Sequence, residues 1–236
     1  MLLYAYIMVW DTGFAPAFHD GKLSLACCKS LLRPHIASEF SQYDGEIYLI
    51  GLCGKMMAKR HSNAYTYRPI YIARITNVIS SDDYFRSGEY ASRPDCKYEY
   101  DDTKQQWCAL KKNPHHEKEG PLEDQFSERD IFYIPRKPPE GKKPKRYNNV
   151  LISEDFIFYG KNAANTQEIE SVFDKISKER AEKPRSDRTP IALSKSEKRM
   201  FKEWFEAQNK TYLVRRNDHV HDYFEIRMCR GECKSR

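Results

Sequence analysis

The chain has 236 residues, 40% hydrophobic, 31% charged and 13% aromatic, with a formal net charge of +6. That length suits one large domain or one domain with an appendage, and an apolar share below the usual ~45–50% allows one sizeable core with solvated arms. The apolar opening MLLYAYIMVW lacks a basic leader and a small-residue cleavage site and stops at Asp11, so neither a signal peptide nor a membrane span of about 20 residues is expected.

Met1–Trp10 reads as a buried first strand, aromatic and β-branched throughout. Asp11–Gly21, with Gly13 and Pro16, follows as a loop. Lys22–Leu32 suits a strand or a helix, and Pro34 closes either one. Gly45–Leu52 is a strand between glycine turns. Ile70–Ile79 (IYIARITNVI) is the clearest strand, its alternation carrying Arg74 as the one internal charge. Ser80, Ser81, Asp82 and Asp83 supply cap and first-turn residues for a short helix through Tyr84 and Phe85. Residues 86–128 are polar, with short strands near Tyr98–Tyr100 and Gln106–Leu110, and Ile131–Ile134 is a small apolar run.

Asn149–Tyr159 returns to strand content and Gly160 breaks it. Gln167–Lys178 places Ile169, Val172, Phe173 and Ile176 on one helical face. Lys183–Pro190 is a linker. Ser194–Gln208 opens with a capping box, Ser194 and Glu197, and groups Met200, Phe201, Trp204 and Phe205. Tyr212–Val214 and Tyr223–Met228 suit an edge strand or a hairpin. Strands first and helices last predict an α+β chain: a β-rich core over residues 1–165 and a helical C-terminal region over 166–236 packed on it.

The charge is uneven. Residues 1–110 hold 12 basic and 12 acidic side chains and residues 111–236 hold 28 and 22, so the whole excess lies in the second part. Its densest run, Arg136 to Arg146 (RKPPEGKKPKR), sets six cations against Glu140. Such a run can condense on phosphates by releasing counterions, or serve as a solvated loop. Seven cysteines, with Cys27 and Cys28 adjacent, do not make a disulfide framework, so a reducing, cytoplasmic compartment is expected.

Five segments together carry a resemblance: DTGFAP (Asp11–Pro16), LACCK (Leu25–Lys29), YDGEIYLIGLCGK (Tyr43–Lys55), YIARITNVISSDDYF (Tyr71–Phe85) and VLISEDFIFYGKNA (Val150–Ala163). The chain resembles the second of the nucleotide-modification-associated domain families, found in phages and bacteria beside DNA base-modification systems. The resemblance covers most of residues 1–165. The same strands are similar to PUA-like barrels, including the EVE and ASCH branches, which implies a mixed or antiparallel barrel with peripheral helices and a cleft for a base. That second likeness is an analogy of fold.

Candidate chemistry gathers after the first strand. Asp11, His19, Asp20 and Lys29 form a polar cluster in which a carboxylate at a strand end can accept a proton or merely cap a turn. Cys28 is a candidate nucleophile if a base or cation stands beside it, against the plainer reading of a buried thiol. Asp11, Cys28 and Lys29 are therefore the catalytic candidates. GLCGK lacks the spacing and the hydroxyl of a P-loop, which leaves a glycine turn with Lys55 free to meet a phosphate. Arg74 either meets a buried carboxylate or reaches a ligand. Trp10, Tyr84, Phe85 and Tyr159 can stack on a base or fill the core.

With His19, Lys55 and Arg74, the run members Lys142, Lys143, Lys145 and Arg146 complete the ligand-binding candidates. Cys96, Cys108, His115 and His116 are metal-ligand types without a CxxC, Cys229 and Cys233 cannot close a site alone, and no metal is expected. No cofactor is indicated. Three functions remain open: a protein binding nucleic acid or a nucleotide, including a modified base, in DNA modification; an enzyme of base modification; or a scaffold that docks a partner through the last helix.

Overall fold

An apolar run without polar alternation needs cover on both faces. The computed structural model describes the chain except residues 10, 12, 62–65, 116–119, 134–139, 141–145, 161–165, 185 and 213–236. In it two such runs become β1 (Leu2–Met8) and β4 (Ile47–Cys53), paired in parallel. With β5 (Pro69–Arg74) and β12 (Asp155–Phe158) they form a first sheet in the order β1-β4-β5-β12. β2 (Ala17–His19), β3 (Lys22–Leu25), β11 (Asn149–Ser153) and β6 (Asn77–Ser80) form a second, antiparallel sheet in that order. Two small ribbons complete the strands, β7 (Tyr98–Asp101) with β8 (Gln106–Ala109) and β9 (Phe132–Tyr133) with β10 (Arg146–Tyr147).

The expected single strands Ile70–Ile79 and Asn149–Tyr159 are each divided. The first breaks between Arg74 and Asn77 and the second between Ser153 and Asp155, where the chain leaves one sheet for the other. Both bend at the same place, so the pairing keeps one register through the corner, from Ser80 opposite Asn149 to Tyr71 opposite Phe158. Polar side chains satisfy the corner: Ser153 Oγ donates to Asp155 O at 2.8 Å, and Glu154 N donates to Thr76 Oγ1 at 3.1 Å.

Six α-helices make the described chain mixed α/β: α1 (Leu32–Gln42), α2 (Lys55–His61), α3 (Ser81–Arg86), α4 (Glu128–Ile131), α5 (Glu170–Glu182) and α6 (Lys195–Tyr212). Pro34 does not close an element as the sequence suggested. It sits in the first turn of α1, where its missing N–H would have had no helical partner. Ser80 caps α3, its Oγ accepting from Asp83 N at 2.9 Å. Among the described residues no sheet closes into a barrel. The β1 edge is covered by a loop, with Ile191 N donating to Leu3 O at 2.8 Å.

Each face of the first sheet has its own core. Tyr4, Tyr6 and Met8 of β1 join Ile47, Leu49 and Cys53 of β4 in a cluster shared with the second sheet and α1. Leu3, Ala5, Tyr48, Ile50 and Leu52 face the other way and meet Phe173 of α5 and Phe201, Trp204 and Phe205 of α6. The Tyr48 ring lies 5.3 Å from Phe201 and 5.1 Å from Phe205, both edge-on. The helices thus supply the second cover that the apolar runs require. Tyr212, expected to open a strand, ends α6, and the rest of the strands expected at 212–214 and 223–228 lies outside the described residues.

The capping box of α6 forms as the sequence indicates: Glu197 N donates to Ser194 Oγ at 3.2 Å and Ser194 N to Glu197 Oε2 at 2.6 Å. A hydrogen bond from Lys175, and then those from Ser194, hold the Glu197 carboxyl down at about 2, against an ordinary value of 4.5. A lowered folded value stabilises above the unfolded one and is lost as the pH falls through the folded one. Glu197→Ala should therefore lower the melting temperature at pH 7, with the gap to the native protein closing between about pH 4.5 and about pH 2. Thermal unfolding across that range checks this, and a constant gap contradicts it.

Candidate functional site

β1 and β4 run parallel, so both deliver their C-terminal ends to one side of the first sheet. Gly54 N donates to Met8 O at 2.8 Å there. A Cβ on Gly54 would stand 2.4 Å from that carbonyl, so only glycine permits the approach. The GLCGK motif is thus a tight strand exit leading into α2, with Lys55 exposed at its start. Asp11, three residues beyond β1, is buried.

The second component is the turn after β3. Cys28 and Lys29 both take left-handed backbone, at φ 61° and 47°, which non-glycine residues adopt at a cost. Arg33 holds the turn from behind, its buried Nε donating to Cys28 O at 2.8 Å and its Nη1 to Asn149 O at 2.7 Å. Leu32 N and Arg33 N both donate to Lys29 O, at 2.9 and 3.0 Å. Cys27 goes to the core with its Sγ donating to Asp95 O, while Cys28 stays half-buried with its Sγ 3.5 Å from His115 Nδ1. Burial and the nearby Asp130 push the Cys28 thiol up to about 12, against the opposing pull of Arg33, Lys29 and Lys97. It is a thiol at rest.

Lys29 reaches inward. Its Nζ lies 4.5 Å from the centre of the Tyr6 ring and 3.1 Å from Asp187 Oδ2. Tyr71 donates its hydroxyl hydrogen to the Tyr6 hydroxyl at 3.0 Å. Burial raises Tyr6 most strongly, the bond from Tyr71 opposes it, and the carboxylates of Asp11 and Asp187 raise it further. Asp11 also contributes to raising Tyr71, and with burial it lifts Cys53 to about 11. Four separated segments therefore converge on Tyr6: the exit of β1, the Cys28–Lys29 turn, β5 through Tyr71, and the strap between α5 and α6 that carries Asp187.

The strap is held by another buried arginine. Arg180 Nη1 donates to Ser186 O at 2.6 Å, and its Nη2 donates to Thr189 O. Sequence reading treats this stretch as a bare linker, and nothing local in it points to Asp187, whose partner is 158 residues away. Tyr6 was legible in part: alternation along β1 places Tyr4, Tyr6 and Met8 on one face. His115 was considered only as a metal ligand. Among the described residues there is no group of three or more His, Cys, Asp or Glu side chains placed to hold a metal ion.

Other candidates lie elsewhere. Arg74 meets carboxylates on both neighbouring strands, Glu46 Oε1 at 3.0 Å and Asp155, and Lys202 of α6 joins Glu46 at 2.9 Å. Its charge is thus spent on clamping α6 to the sheet. Tyr84 is buried, donates to Asp95 Oδ1 at 2.7 Å and stacks on Tyr90 at 4.4 Å, which leaves its ring no face for a base. Phe85 is buried beside it, and Tyr159 is buried in the cluster beneath α5 and α6. His19 pairs with Lys22 at the tip of the β2–β3 hairpin, the end away from Cys28, with its Nε2 3.1 Å from Asp20. Arg146 is exposed on β10. Trp10, Lys142, Lys143 and Lys145 lie outside the described residues.

The family model for nucleotide modification associated domain 2 matches residues 1–221. The chain belongs to that family. The match takes in the Cys28–Lys29 turn, the strap and α6 together, so this family member's site draws on both ends of the matched stretch. Neither curated proteins nor solved structures contain a match. No described helix is long and apolar enough to cross a membrane.

If Arg180 anchors the strap, Arg180→Ala should destabilise the protein by about 2–3 kcal/mol through loss of two bonds from a charged donor. It should also open a new cleavage site within residues 183–190 in limited proteolysis. Resistance equal to the native protein contradicts the anchoring.

Proposed function

We propose that this chain binds a nucleotide, free or within DNA, in support of base modification, with the ligand seated where β1 ends against the Cys28–Lys29 turn. One observation carries the reading: the convergence on Tyr6 of Lys29 and Cys28 from one turn, Asp11 from the exit of β1, Tyr71 from β5 and Asp187 from the strap. Such a set offers a partly exposed cation with hydrogen-bonding groups close by, which suits the phosphate of a nucleotide. Family membership supports the ligand class. The ribbon bent across two sheets supports a PUA-like comparison.

DNA is the proposed macromolecular partner. β9 and β10 bracket the run that holds Lys142, Lys143 and Lys145, and β10 presents exposed Arg146 and Tyr147 beside it. A basic segment between two short strands would engage phosphates without reading sequence. The five described cysteines are all free thiols, which supports a reducing, cytoplasmic setting.

A second reading, catalysis, has its own observation, the Cys28–His115 contact at 3.5 Å on left-handed backbone. Here His115 would take the thiol proton as Cys28 adds to an electrophilic ring carbon of the base, the ring double bond opening to leave its electron pair on the ring; reversal expels the thiolate, which takes the proton back. Iodoacetamide tests the pair: His115→Ala should slow carboxamidomethylation of Cys28 at pH 7.5 several-fold, and an unchanged rate removes the reading.

For the binding function, calorimetric titration of deoxynucleoside monophosphates and short oligonucleotides is decisive. Lys29→Met should weaken monophosphate binding on the order of tenfold, about 1.4 kcal/mol. Charge-neutralising substitutions at Lys142, Lys143, Lys145 and Arg146 should weaken oligonucleotide binding and flatten its salt dependence. Absence of binding at low salt refutes the proposal.

A further inference from the structure

We infer that the Lys29 ammonium is a phosphate subsite and that Asp187 is its resident anion, displaced when a phosphate arrives. This rests on the nucleotide reading and adds to it a place for the phosphate and a residue that opposes its entry.

The argument begins with what holds each partner. Lys29 is positioned without Asp187: its carbonyl accepts from Leu32 N and Arg33 N, Arg33 grips the preceding carbonyl, and its ammonium rests over the Tyr6 ring. The strap is likewise positioned without Lys29. Arg180 binds Ser186 O and Thr189 O, Ser186 N donates to Lys183 O, Thr189 N donates to Ser186 O, and Ile191 N ties the end to β1. The ion pair is therefore not what fixes either side. Two independently anchored elements bring opposite charges to 3.1 Å, in the manner of a site and its occupant.

Exposure points the same way. The Lys29 side chain is 27% exposed and that of Asp187 is 19% exposed, so water and solutes reach the pair. A partly solvated pair is weakly held and can exchange one anion for another. A phosphate monoester carries up to two charges and several acceptor oxygens, and it forms stronger charge-assisted bonds to an ammonium than a carboxylate does. Tyr6 stays beneath the ammonium, its ring centre 4.5 Å from Nζ, and so keeps Lys29 in place when the anion changes. Asp187 then sets the threshold: a neutral nucleoside would not compete for Lys29, and a phosphorylated one would.

The test compares the native chain, Asp187→Asn and Lys29→Met by calorimetry with a deoxynucleoside 5′-monophosphate and the matching nucleoside. Removing the competing charge should tighten monophosphate binding about fivefold, equivalent to ~1 kcal/mol, with nucleoside affinity unchanged. Melting temperature of Asp187→Asn should stay within about 2 °C of native, since the strap keeps its Arg180 anchor. Lys29→Met should erase the preference for monophosphate over nucleoside. Unchanged or weaker monophosphate binding by Asp187→Asn, or a preference that survives Lys29→Met, overturns the subsite alone. Failure of the native chain to bind either ligand overturns the nucleotide reading and the subsite with it.

Discussion

Both four-stranded sheets are held by one two-stranded ribbon that bends without changing register. Because side chains alternate along a strand, a slip of one residue at the corner would turn Tyr71 and Ala73 out of one core and Ile72 out of the other. The polar contacts of Thr76, Ser153 and Asp155 fix the bend, and the two packed faces fix the register. Once the ribbon is set, β4 adds to β5 and β1 adds to β4, and the exits of the parallel pair point to one place. The proposed site lies at those exits.

Three buried arginines complete what the sheets leave loose. Arg33 gathers Cys28 O and Asn149 O, Arg93 gathers His19 O, Ala17 O and Lys22 O, and Arg180 gathers Ser186 O and Thr189 O. Each gathers carbonyls from loops or strand ends and supplies several donors in a rigid plane. Arg93 also meets the buried Asp95, Ser24 and Tyr84. The left-handed Cys28–Lys29 turn and the Asp187 strap are therefore held from behind by charged groups that do not themselves face the ligand.

This division of labour bears on function. In the proposed function the basic run and exposed Arg146 hold DNA without selecting a base, whereas the groups around Lys29 are few and largely buried. Cys28 is kept protonated by burial, Lys29 is paired, and Tyr6 is linked to Tyr71. Under the proposed function, a ligand must exchange one of those partners before the site responds.

The sequence by itself determined the elements whose signal is local. The capping box at Ser194 and Glu197, the cap at Ser80, the apolar faces of α5 and α6, and the two unbroken runs that became β1 and β4 follow from side-chain periodicity and hydrogen-bonding capacity within a few residues. The five segments behind the family resemblance were equally legible, and Asp11, Cys28 and Lys29 were marked as candidates from their place after the first strand. Tertiary structure alone decided the bend that splits two apparent strands, since both halves have strand-like composition and only the partner sheet says where to turn. It also decided the fates of Arg74 and Tyr84, which a single sequence leaves balanced between ligand and core until their partners Glu46, Asp155 and Asp95 are placed. Asp187 is the clearest case: a carboxylate in a linker has no local signature of a site, and its meaning comes from a lysine 158 residues earlier in the chain. Local chemistry is written in neighbouring residues, but convergence is a property of the folded path, because it depends on which distant segments the packing brings together.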